Sequence, residues 1–147
     1  MKTLAPIAAL AVVAFVLAGA ASGARHMSTM SFAATLNAGQ EIPHPSGTQS
    51  GASGKFTATV NGSTIKWTLT FSHLTGAASA AHIHAGKKGV AGPVLIALCG
   101  PCTAHESGTG TITSAQVKKL QSGGTYVNVH TAKNAGGEIR GQVKMTM

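Results

Sequence analysis

His82 and His84 stand two apart in Ala81-His82-Ile83-His84-Ala85-Gly86. His130 closes the run Tyr126-Val127-Asn128-Val129-His130. On a β-strand, residues at i and i+2 share a face. Ile83 in the first run, and Val127 and Val129 in the second, then point to the opposite, apolar face. If the two strands are neighbours, three imidazoles on their outer faces form a nitrogen site suited to copper or, less well, zinc. The competing reading is three surface histidines with no ligand. Nitrogens on one metal lie roughly 3–4 Å apart, so the distances between these rings decide between the two. His105, in Thr103-Ala104-His105-Glu106, and His44, between Pro43 and Pro45, are candidates for a fourth ligand; such a residue is more often a plain loop histidine. His73 has the same loop reading. His26 would bind Cu(II) only if processing left Ala24 at the amino terminus.

Composition narrows the chemistry. The 147 residues include seven His, three Glu (Glu41, Glu106, Glu138) and no Asp. Calcium and magnesium sites need clustered oxygen ligands, and a glycosidase needs two facing carboxylates. A GxxxxGK[ST] phosphate loop is absent. Cys99-Gly100-Pro101-Cys102 has the spacing of a redox motif, but the Gly- and Thr-rich segment after it offers no helix to lower a thiol pKa. A local disulfide is the expected state in an exported protein, with a Cu(I) thiolate site as the alternative. Met27, Met30, Met145 and Met147 lie near the two ends. They read as soft donors for Cu(I) or as frayed termini.

The elements that position these residues read as β. Phe56, Ala58 and Val60 alternate with Lys55, Thr57 and Thr59; Ile65, Trp67, Leu69 and Phe71 alternate with polar residues after Asn61-Gly62. This predicts a hairpin with one buried face. Further strands are expected at 31–37, 79–84, 93–99, 108–112, 125–131 and 138–145. Thr113-Ser114-Ala115-Gln116 is a capping box that starts one short helix, and Gly123-Gly124 ends it. Glu138 and Arg140 share a face of the last strand, where they either pair or hold the loop after His130.

Residues 1–24 read as a signal peptide: Lys2, an apolar run from Ile7 to Leu17, then small residues to Ala24. An uncleaved membrane anchor is the competing reading, and the expected location is secreted or periplasmic. Residues 25–30 read as a flexible mature amino terminus and 31–147 as one domain. Without the leader the chain keeps ten basic residues against three Glu, a net +7. That charge suits small anions, an envelope protein or an anionic polymer. Nucleic acid is not expected, because the lysines are scattered and one Trp and one Tyr make no stacking platform.

Gly39-Gln40-Glu41-Ile42-Pro43, Ala81–Gly86 with Gly92-Pro93-Val94, Tyr126–Thr131, and Gly137-Glu138-Ile139-Arg140-Gly141-Gln142 appear in an order and spacing that resembles the CHRD domain, first described in chordin. The resemblance runs from about Phe32 to Val143 and implies an exported β-sandwich. The H-x-H strand, the later Val129-His130 and Asn134-Ala135-Gly136-Gly137 also look like copper-zinc superoxide dismutase. That likeness implies His82, His84 and His130 as copper ligands. Where that family has its anion-attracting Arg, this chain has Glu138, with Arg140 two residues on as the substitute anion guide. The zinc loop with its Asp, and the long-range disulfide, have no counterpart.

The reading at this point is an all-β antiparallel Greek-key sandwich or barrel, immunoglobulin-like or dismutase-like, with one short helix. Its expected role is to bind a copper-type ion, with a copper-only dismutase-like oxidoreductase as the enzymatic form. The alternative is a structural or interaction module of the cell envelope that uses no metal.

Overall fold

The computed structural model describes residues 28–147. The expected signal peptide, His26 and Met27 lie outside the described residues. Nine strands form one antiparallel sheet that curls into a nearly closed barrel. They are β1 (Met30–Asn37), β2 (Ser53–Asn61), β3 (Thr64–Ser72), β4 (Ala78–Ala85), β5 (Val94–Cys99), β6 (His105–Thr111), β7 (Thr125–Thr131), β8 (Ile139–Gln142) and β9 (Lys144–Thr146). One helix, α1 (Ser114–Gln121), interrupts them. The spatial order is β5-β4-β7-β8-β1-β2-β3-β6, with β9 also on β1. The chain thus leaves β3, builds β4 and β5 on the far side, and returns to lay β6 against β3, a Greek-key path. None of the helices among the described residues is long and apolar enough to cross a membrane.

Alternation builds the hairpin as expected. Phe56, Ala58, Val60, Ile65, Trp67 and Leu69 are buried, and the residues between them face out. The two-residue turn is Gly62-Ser63 rather than Asn61-Gly62, because Asn61 pairs with Thr64. Gly62 supplies the positive φ of 60° that this tight turn requires. Thr113 caps α1 with the full reciprocal box, and Leu120 enters the core. Phe32, Phe56 and Trp67 from one half of the sheet meet Ile83, Val127, Val129 and Ile139 from the other in one apolar cluster.

Two boundaries differ from the sequence expectation by more than one residue. Strand β6 starts at His105, not Gly108, because Leu69 and Thr70 pair with Glu106 and His105. The last expected strand is two. Val143 is fully buried between β8, which lies on β7, and β9, which pairs only with β1.

Strand β7 is the element that matters for the site, since all seven of its residues are buried. Val127 and Val129 face the core. Tyr126, Asn128 and His130 face outward and were expected at a surface. Three loop segments cover that side. The segment between β4 and β5 is tied down by Gln142 Nε2 to Gly86 O (2.8 Å) and Arg140 Nη2 to Val90 O (2.9 Å). The turn after β7 holds His130 and Asn134. The segment after β1 joins that turn through Ser46 N–H to Asn134 Oδ1 (2.9 Å).

Candidate metal centre

Strands β4 and β7 are hydrogen-bonded neighbours, with Ala80 opposite His130 and His82 opposite Asn128. This pairing, across 48 residues of sequence, brings the three histidines together. His82 Nδ1 lies 3.1 Å from His130 Nε2. One nitrogen from each of His82, His84 and His130 falls within 4.8 Å of the others. Tetrahedral bonds near 2.0–2.1 Å hold nitrogens on one metal roughly 3.4 Å apart, so the widest pair must close by at most about 1.4 Å to complete the set. Among the described residues, no His, Cys or carboxylate other than these three belongs to the cluster.

The other ring nitrogens are held by backbone carbonyls. His84 Nδ1 meets Gly92 O at 2.8 Å, and His130 Nδ1 meets Ala135 O at 3.0 Å. A carbonyl only accepts, so each Nδ1 carries a hydrogen, which in the neutral ring leaves the lone pair on Nε2. Nε2 of His84 is buried with no partner. Such an atom costs roughly 1–3 kcal/mol unless something fills the position, and a cation does so. These carbonyls are the outer partners that fix the tautomer and ring direction of metal-binding histidines. Gly92 reaches its place because it has no side chain: a Cβ there would overlap Ala85 O.

Burial, and then the nearby rings of His130 and His84, push the His82 pKa below its ordinary 6.5. Burial also lowers that of His130, and its hydrogen bond to Ala135 only partly offsets this. Both are therefore neutral, as ligands must be, at neutral pH. His84 and His130 are each 9% exposed, while His82 is partly exposed and leaves the cluster an opening to solvent.

The remaining sequence candidates lie elsewhere. His105 is exposed on β6 at the opposite end of the sheet order, paired with Thr70. His44 is exposed on the segment after β1, and His73 binds Ser72 Oγ through Nδ1. Arg140 is 1% exposed on β8. Its guanidinium lies 3.4 Å over the Tyr126 ring, and His84 stacks on Tyr126 at 5.0 Å. Glu138 and Arg140 do not pair. Glu138 Oε2 instead accepts from Thr131 Oγ1 and Thr75 Oγ1, each at 2.6 Å, and from Asn134 Nδ2 at 3.3 Å. It pins the turn that carries Ala135, the second of the two readings its position allowed.

Cys99 and Cys102 form a disulfide, and Cys102 bridges to Ala78 at the start of β4. A strand, not a helix, follows, and the bonded sulfurs are no thiolate site. The sequence reading missed the parts played by Gly92 and Ala135, and the burial of Asn128. The first two act through backbone carbonyls, which residue type does not reveal. Asn128 was seen to share the His130 face, but without sight of the loops its burial was not legible.

A family model of the CHRD domain matches residues 32–143. No curated protein and no solved structure matches the chain.

Proposed function

The chain belongs to the CHRD domain family, and from the geometry of its histidine cluster we propose that this member is an exported metal-binding domain whose ligands are His82, His84 and His130. One observation carries the reading: three imidazole nitrogens converge within 4.8 Å, with two of the rings turned by backbone carbonyls. The donors are all neutral nitrogens, a set that binds Cu(II) most tightly among the divalent first-row metals, with zinc behind it. The apolar leader and the Cys99–Cys102 disulfide support a secreted or periplasmic location, where such bonds persist.

Dialysis of the purified chain against Cu(II), followed by metal analysis, tests the proposal. The expected uptake is about one ion per chain, lost in the His82→Ala/His84→Ala double variant. Equal uptake by both proteins overturns it.

A further inference from the structure

Tyr126 touches His84 in two ways. The two rings stack, with centroids 5.0 Å apart and planes 10° from parallel. The phenol also closes on Gly92: Gly92 N–H donates to its oxygen at 3.1 Å, and its hydroxyl donates to Gly92 O at 3.4 Å. Gly92 O is the acceptor that fixes His84 Nδ1. One side chain therefore holds both the imidazole and the carbonyl that orients it.

Tyr126 is itself held. Strand β7 runs between β4 and β8, and His84 stands opposite Tyr126 on the β4 side. From β8, the guanidinium of Arg140 covers the ring at 3.4 Å. Arg140 is 1% exposed, and its Nη2 donates to Lys87 O and Val90 O at 3.0 and 2.9 Å. Its work is inside the fold, where it binds the segment between β4 and β5 down over the phenol. Gly86 makes room for this packing: a Cβ there would stand 2.9 Å from Tyr126 Cε1 and 2.7 Å from Val90 O. Neither side chain is free to be a ligand. The Tyr126 oxygen is engaged by Gly92, and a guanidinium has no lone pair to give.

Resting on the metal-binding reading above, we propose that Tyr126 is a positioning residue for the metal centre, locked in place by Arg140. The stack and the clasp on Gly92 fix the rotation of the His84 ring before an ion arrives. Binding then orders less of the side chain, and a pre-organised ligand gains affinity for that reason.

Tyr126→Phe tests this, since it keeps the ring between His84 and Arg140 and removes only the hydroxyl. The full chain is titrated with Cu(II) against a competing chelator, and the electron paramagnetic resonance spectrum of the loaded protein is recorded. The expected result is about one ion per chain, an affinity lowered about 10–100-fold, and a changed copper hyperfine splitting. Tyr126→Leu, which also loses the stack, weakens binding further. His105→Ala, at an exposed position on β6, leaves affinity and spectrum at wild-type values. Tyr126→Phe with wild-type affinity and spectrum overturns the inference and leaves the metal reading standing, even where its stability toward urea has fallen. A wild-type chain that takes up no ion sinks both together.

Discussion

His82 Nδ1 and His130 Nε2 face each other at 3.1 Å. Ala135 O claims the hydrogen on the far side of the His130 ring, so His130 Nε2 is an acceptor. In the metal-free protein His82 must then donate from Nδ1. On metal loading that hydrogen should move to His82 Nε2. ¹⁵N NMR of the imidazoles should show His82 changing tautomer on loading while His84 and His130 keep theirs. His130→Ala should weaken metal binding by more than the roughly 10–100-fold that loss of an outer partner costs.

The pH response follows from the lowered pKa values of His82 and His130. In the unfolded chain these rings protonate near 6.5; in the folded protein they do so at lower pH. The unfolded state thus takes up protons first, and stability falls as pH drops from about 6.5 toward the folded values. Metal loading should be flat above that range and decline below it, since protons compete for the same lone pairs. Urea unfolding and equilibrium dialysis across pH 4–8 should show stability falling first, from about 6.5, and metal loading declining at lower pH.

Gly92→Ala should act on the metal without touching a ligand. A Cβ there collides with Ala85 O, so the Gly92 carbonyl leaves its place on His84. Affinity should drop about 10–100-fold, as for other outer partners. Ultraviolet circular dichroism should report an intact sheet.

Glu138→Gln tests the turn that aims His130. Burial alone would raise the Glu138 pKa, but hydrogen bonds from Thr131, Thr75 and Asn134 outweigh it and hold the carboxyl below its ordinary 4.5. That stabilisation is present above about 4.5 and is lost as pH falls through the lower folded value. The amide variant turns an NH₂ toward these donors and should cost about 1–3 kcal/mol near neutral pH. Its acid unfolding should be less steep than that of the wild type.

Gly108→Ala examines the other half of the barrel. A Cβ at Gly108 would come within 2.5 Å of Trp67 Cζ2. Displacing the ring should cost about 1–3 kcal/mol, with a change in Trp67 fluorescence, while copper uptake stays at wild-type level.

The sequence by itself determined much of the barrel and the make-up of the candidate site. Alternation through Phe56–Val60 and Ile65–Leu69 is a local signal, since a strand repeats every two residues whatever lies beside it. The capping box at Thr113 and Gln116 is equally local. The same period put His82 and His84 on one face and Ile83 on the other. Only the tertiary structure decided that β4 lies against β7, because pairing between distant strands depends on the whole sheet order. It also decided that the outer face of β7 is covered, that Arg140 lies under a loop away from Glu138, and that Val143 splits the last strand. The hydrogens on His84 and His130 are set by the carbonyls of Gly92 and Ala135. Every residue has a carbonyl, so no residue type announces where one will point; its direction exists only once the chain has folded.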